Sequence, residues 1–372
     1  MTELKKKTIV KRLNLESDKR ILFVSDIHGD VDTFKSGLEM MNFNDDDYLF
    51  IIGDIVEKGD PGKNLECFRY VMELAKKPNV FAMSGNCDEV LRFILPDDQR
   101  DRFLYQVNIK KHSILNDMAD EMNYNISPDM DVKDYVKKVQ EKYKDLYKFM
   151  DELIDIVIIN DEIVLVHGGL DDINNIPEYA ISILKYDNFY AKSKGVDKLT
   201  IVGHYPTRNY RNDMSCCNPI FDFKKKIISI DGGNHVCKGG QINFVFLESL
   251  KSMKFGYRYI DHYEKITIKN DVIYDEPQNL VNITFGDNEV EIKDRDLDFY
   301  YIHHLKSNEY MWVHNSFVYQ DPKNGKDYCY DANNQFISVK AGDIVSVIKR
   351  GMPYSVIKKN GYIGLIETKY LG

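Results

Sequence analysis

The sequence predicts an α/β domain followed by a mainly β region, and three observations carry that prediction. Short apolar runs alternate with helix-like stretches through the first part of the chain. A long, charged, helical stretch interrupts this pattern at about residues 97–155. Beyond about residue 250 the chain changes to short alternating segments rich in Tyr, Val and Ile, separated by polar turns. The expected division is residues 1–250 for the first domain and 251–372 for the second.

The elements follow in order. Residues 20–25 (RILFVS) form a buried-strand candidate, and DVDTFKSGLEMM after them has helical spacing. Residues 47–54 (DYLFIIGD) repeat the strand signal, a helix is expected from Pro61-Gly62 to about Lys76, and residues 79–86 (NVFAMSGN) are a third strand. Two strand-helix-strand steps this close together point to a sheet with short right-handed crossovers. The sixty or so residues before strand signals return are too many for an ordinary loop, which predicts a helical insertion over the sheet. IVIINDEIVLVHGG, KLTIVGHYP, KKKIISIDGG and QINFVFLE resume the strands, the first with an Asn-Asp turn. In the last stretch, Asn360-Gly361 between alternating runs is a hairpin cue.

Bulk properties narrow the function. With 43% hydrophobic and 29% charged residues the chain has an ordinary globular balance. A formal net charge of −9 argues against a general nucleic-acid or membrane-surface binder. The six cysteines make no CxxC pair, so neither a structural zinc cluster nor a disulfide framework is expected. The N-terminus lacks an apolar signal region and no run could span a membrane, which makes the cytoplasm the default location.

Chemistry gathers at the strand ends: Asp26-Ile27-His28-Gly29, Gly53-Asp54-Ile55-Val56-Glu57-Lys58-Gly59, Gly85-Asn86-Cys87-Asp88, His167-Gly168-Gly169 and Gly203-His204. Open α/β sheets place their sites where such loops converge. In-line hydrolysis of a phosphate ester needs a nucleophile at neutral pH and charge neutralisation. Two metal ions about 3.5–4 Å apart supply both by sharing a hydroxide and clamping the phosphate. A carboxylate suits the bridging position, and Asp54 is the candidate. Mixed oxygen and nitrogen donors favour Mn, with Fe or Zn as alternatives, over Ca or Mg. A single Asp or Asn at a strand end is ordinarily a turn former; five such motifs in order are not.

The ordered set D-x-H-G, G-D-x-V-x-x-G, G-N-x-D, H-G-G and G-H resembles the calcineurin-like metallophosphoesterases, most closely their bacterial serine/threonine protein phosphatase branch, over roughly residues 18–248. The resemblance implies a four-layer αββα sandwich of two mixed sheets. It also implies that Asp26 and His28 hold one metal, that Asp54 bridges, and that Asn86, His167 and His204 hold the other. The last 35 or so residues, with the AGD turn and YSVIKKNG, resemble a bacterial SH3-like barrel at about 335–372. That tail either binds a peptide or packs on the catalytic domain.

The chain departs from the protein phosphatase pattern around the metals. G-D-x-V-D-R-G becomes GDIVEKG, so Glu57 replaces an Asp and Lys58 replaces a phosphate-binding Arg, as a point charge without the bidentate fork. Cys87 stands where the branch has its general-acid His, which makes Cys87 and Glu57 the candidate catalytic pair beside Asp54. Residues 168–203 contain no arginine, so the second phosphate-binding Arg has no counterpart there; Arg208 is a possible substitute, and His235 and Asn86 are further substrate-binding candidates. G-N-C-D is also the third motif of smaller calcineurin-like phosphodiesterases. The expected activity is therefore phosphoester hydrolysis with a phosphatase-like layout, on a phosphorylated protein or a nucleotide. The alternatives are a phosphodiesterase or dinucleoside-polyphosphate hydrolase, or a catalytically weakened binding module.

Overall fold

The apolar runs become two mixed sheets in the computed structural model, which describes residues 6–91, 100–275 and 279–371. Two units emerge from the contact pattern. The first comprises Met1–Tyr205, Pro219–Asp231 and Ile242–Ile260; the second comprises Pro206–Asn218, Gly232–Gln241 and Asp261–Gly372. Their boundary is thus interleaved, where the sequence suggests a single cut at residue 250. Strand Phe255–Ile260 stays with the first unit because it pairs along its whole length with Ile242–Leu247. Segment 206–218 goes with the second because the Cys217 backbone N–H donates to the Gly361 carbonyl and the Asn218 amide to that of Asn360.

In the first unit, a five-stranded sheet runs in the order Phe255–Ile260, Ile242–Leu247, Ile21–Val24, Tyr48–Ile52, Val80–Met83. The last three strands are parallel, as the strand-helix-strand spacing requires. A six-stranded sheet has the order Val10–Leu13, Ile156–Ile159, Ile163–Val166, Leu199–Val202, Ile227–Ser229, Ile220–Asp222. Successive side chains point to opposite faces of a strand, and both faces of the central strands are covered, which is why those strands read as unbroken apolar runs. Ile21, Phe23, Phe50 and Ile52 meet Val157, Ile159, Leu165 and Ile201 in a core between the sheets. Leu22, Val24, Leu49 and Ile51 face the other way, onto helices Val31–Met40 and Lys63–Leu74. Across the second sheet, Ile156, Ile158, Val164 and Val166 pack with Ile183 and Phe189. The result is the four-layer αββα arrangement, with each fully buried side chain of this size contributing about 1.5–3 kcal/mol.

Helix Val31–Met40 illustrates the local logic. Val31, Phe34 and Leu38 share its buried face, and the Asp30 carboxylate caps its start by accepting from the Thr33 backbone N–H at 3.2 Å. The helical insertion comprises Arg100–Leu104, Ile114–Glu121, Val132–Lys142 and Lys144–Glu152, with a π-helical turn at Tyr105–Lys110. Residues 97–99 of the expected insertion lie outside the described residues. Leu115, Met118, Tyr135, Val139 and Met150 anchor it in the core over the five-stranded sheet.

The second unit holds a five-stranded antiparallel sheet and a four-stranded one built from Glu264–Thr267, Ile344–Lys349, Tyr354–Lys359 and Tyr362–Glu367. The Asn360-Gly361 hairpin forms as its residue types dictate, with φ of 52° and 83° at the two turn positions. No helix among the described residues is long and apolar enough to cross a membrane.

Candidate metal centre

Three of the five motif loops leave a strand end through left-handed backbone residues. Asp26, His28, Asp54 and His204 have φ of 55°, 52°, 51° and 68°, and Glu57 and Lys58 have 70° and 69°. Such conformations cost energy for residues with a Cβ, and their concentration in one place marks where side chains are aimed rather than merely accommodated. The loops lock together through their backbones: Asp26 N–H donates to Gly53 O and His28 N–H to Asp54 O, both at 3.0 Å. Two motif glycines make room for the carboxylates. A Cβ on Gly85 would lie 2.2 Å from Asp54 Oδ1, and one on Gly203 would lie 2.4 Å from Asp26 Oδ2.

Asp54 sits at the middle. Its Oδ1 is 3.2 Å from His167 Nε2, and its Oδ2 is 3.8 Å from His28 Nε2. His28 Nε2 also lies 3.9 Å from Asp26 Oδ1, and His167 Nε2 lies 3.3 Å from Asn86 Oδ1. Donor atoms of Asp54, His167 and His204 all lie within 4.8 Å of one another, and so do those of His28, Asp54 and Cys87. One carboxylate is therefore common to two adjacent donor groups. Asp26, His28, Asp54 and His167 are each 1% exposed or less, so the charges have little water to rely on.

Outer contacts orient the imidazoles. His167 Nδ1 is 2.8 Å from the Ile52 carbonyl, which turns Nε2 toward Asp54. His204 Nε2 donates to Asp187 Oδ1 at 2.8 Å. Burial and the neighbouring His167 lower the pKa of His204 to about 4, so its ring is neutral and Nδ1 keeps its lone pair.

The electrostatics ask for cations. Burial pushes Asp26 up to about 6 and Asp88 up to about 8. Burial opposes charge on Asp54 as well, but His167 holds its carboxyl well below the usual range. His167 is in turn raised to about 10 by Asp54, against the effect of its own burial. The donor set of carboxylate, amide and imidazole groups, with a shared central carboxylate, fits two divalent ions.

The remaining predicted residues are placed differently. Lys58 faces solvent with Nζ 3.5 Å from His28 Nε2, at the edge of the donor groups. Cys87 lies beside Asp54, to whose Oδ1 its backbone N–H donates at 2.8 Å; burial and Asp54 raise its thiol, which holds its proton. Glu57 turns to the insertion: Ser113 Oγ and Ile114 N–H donate to its Oε1 at 2.8 and 2.9 Å, and Gln106 Nε2 donates to Oε2. Arg208, expected at the phosphate, belongs to the second unit and is wholly buried there. Its guanidinium donates to Lys238 O at 3.2 Å and Asn282 Oδ1 at 3.4 Å and lies 3.9 Å from Asp331. Its charge is spent on that interior. His235 is also in the second unit, its ring stacked on His262 at 5.0 Å between centroids.

Two further residues, carrying no role in the motif pattern, contribute to the site. Asp88 accepts from Ile55 N–H, Val56 N–H and Gly85 N–H at 2.8, 3.2 and 2.7 Å, tying the second motif loop to the third. Its place in G-N-C-D was the available signal. Asp187, which orients His204, stands in no motif, and only the fold brings it near.

Comparison with known proteins places the sequence in a family. The family described as calcineurin-like phosphoesterase matches residues 19–227, more than half of the chain. A symmetrical bis(5'-nucleosyl)-tetraphosphatase from Buchnera aphidicola subsp. Acyrthosiphon pisum (strain Tuc7) is 43% identical over 67 residues, which are 18% of this chain and 23% of that protein. The match thus spans about a quarter of that relative's length. Among solved structures, a candidate diadenosine tetraphosphatase aligns at 14% identity and a TM-score of 0.44, covering 68% of this chain and 99% of the other. A serine/threonine phosphatase from Saccharomyces cerevisiae aligns at 13% identity and a TM-score of 0.40, covering 70% and 86%. With the motif loops converging on Asp54 and the family pattern spanning most of the first unit, the chain belongs to the calcineurin-like phosphoesterases.

Proposed function

We propose that the protein is a dinuclear metal-dependent hydrolase of phosphate esters, with Asp26, His28, Asp54, Asn86, His167 and His204 holding two divalent ions, Mn foremost. The observation that carries this reading is the placement of Asp54, whose two carboxylate oxygens face His167 on one side and His28 on the other. Bound ions would supply Lewis acidity at the phosphoryl oxygens and an activated water. The chain supplies the rest. Asp54 and Asp26 provide negative charge from a buried setting, and Asp187 fixes the His204 ring by accepting from its Nε2–H. Lys58, exposed beside His28, offers a point charge to an incoming phosphoryl oxygen. Cys87 occupies the general-acid position with a raised pKa, and Glu57, committed to Gln106, Ser113 and Ile114, is not free to orient it. Loss of general-acid help costs about 10²–10⁴-fold and falls hardest on alkoxide leaving groups. Substrates with good leaving groups are accordingly favoured.

Two substrate classes fit. A phosphatase-like monoesterase acting on phosphorylated protein follows from the motif order. A nucleotide polyphosphate hydrolase is favoured by the weak acid position, since a phosphoanhydride leaves without a strong acid, and by the 43% identity to part of a bis(5'-nucleosyl)-tetraphosphatase. The test is turnover by the Mn-loaded protein of para-nitrophenyl phosphate, bis-para-nitrophenyl phosphate and diadenosine tetraphosphate, with Asp54→Asn as the blank. Hydrolysis of any of them that disappears in the blank supports the reading, and metal-loaded protein inert on all three contradicts it.

A further inference from the structure

Cys87 is not used by the reading above except as a poor acid, yet its surroundings suit another role. Its Sγ, a His28 ring nitrogen and an Asp54 carboxylate oxygen all lie within 4.8 Å of one another. The side chain is held there by its own backbone, whose N–H donates to Asp54 Oδ1 at 2.8 Å. The Asn86 amide donates to the sulfur at 3.5 Å, a contact a thiolate accepts better than a thiol. The other donor group, Asp54 with His167 and His204, contains no sulfur.

We propose that Cys87 is a sulfur ligand to the ion on the His28 side of Asp54, making the two metal positions chemically unequal. The inference rests on the dinuclear reading and refines it. On binding, the S–H bond breaks, a sulfur–metal bond forms and the proton goes to solvent, with no change of oxidation state. A thiolate beside imidazole and carboxylate selects borderline-soft divalent cations such as Zn, Co or Fe(II). The sulfur-free position keeps the preference of nitrogen and oxygen donors, so the two positions differ in the cations they favour.

Cobalt tests this, because thiolate ligation to Co(II) produces an intense sulfur-to-metal charge-transfer band in the near ultraviolet. The metal-free full-length protein is titrated with Co(II) while absorbance and bound cobalt are both measured. Wild type should take up two ions and show the band. Cys87→Ser should lose the band, whether it retains two ions or falls to one, while Cys67→Ser, altered at a buried cysteine in helix Lys63–Leu74, should keep it. Two bound cobalt ions without the band in wild type, or a band that survives in Cys87→Ser, would overturn the sulfur ligand and leave the dinuclear phosphoesterase standing. Failure of wild type to bind cobalt at all would overturn both.

Discussion

Glu57 offers a test of the insertion's anchoring that needs no substrate. Its carboxyl is 3% exposed, and burial raises its pKa from 4.5 to about 7 even though Ser113, Ile114 and Gln106 donate to it. Between those two values the native state binds more protons than the unfolded chain, so stability falls as pH rises from about 4.5 and levels off above about 7. A shift of this size corresponds to about 3 kcal/mol, at 1.36 kcal/mol per pKa unit. Glu57→Gln removes the titration while keeping the shape: its amide oxygen can accept from Ser113 and Ile114, and its NH₂ can donate to Gln106 once that amide is flipped. Urea unfolding of the metal-free protein at pH 5 and pH 8 should show wild type losing stability relative to the variant, with the variant ahead by up to about 3 kcal/mol at pH 8. If Glu57→Gln is instead the less stable protein at pH 8, the three donors stabilise an ionised carboxylate and the assignment of a neutral buried acid is wrong.

Other outcomes follow from placement. Lys58→Ala should lower kcat/KM for a phosphomonoester by roughly 10- to 100-fold, the loss of one charge-assisted contact, with Lys58→Arg recovering much of it. Unchanged kinetics in Lys58→Ala would remove Lys58 from the substrate path. Asp187→Ala should weaken metal binding on the order of 10- to 100-fold, because His204 loses its orienting partner, and equilibrium dialysis against a competing chelator reads this directly. Arg208→Ala should cost about 3–5 kcal/mol of stability in the second unit, leaving KM for the monoester unaltered. A raised KM in a stably folded Arg208→Ala protein would reinstate Arg208 at the phosphate.

Much of this architecture was legible because the physics was local. Unbroken runs such as Leu49–Ile52 read as strands covered on both faces, and each carried its glycine-flanked motif to the strand's carboxyl end. The edge strands were not legible. Val10–Leu13 is exposed and basic along most of its length, and Ile220–Asp222 has only three residues, so neither shows a period or an apolar run. Each forms because a neighbour, Ile156–Ile159 or Ile227–Ser229, offers an unpaired edge. At the site, the donors announced themselves by motif. The placements of Glu57, Arg208 and Asp187 could not be read this way, because the direction a side chain takes from a loop depends on partners distant in sequence. Glu57 is claimed by residues about fifty positions away in the insertion.

Whether Asp54 joins two metal positions in a hydrolytic centre is decided by metal stoichiometry measured together with turnover. Purified wild-type and Asp54→Asn proteins would be reloaded with Mn, freed of excess metal, and assayed for bound metal and para-nitrophenyl phosphate hydrolysis. Two ions and turnover are expected in the wild type, with fewer ions and activity down by on the order of 10³-fold or more in a variant that keeps its fold. Two ions and undiminished turnover in Asp54→Asn would contradict a bridging Asp54.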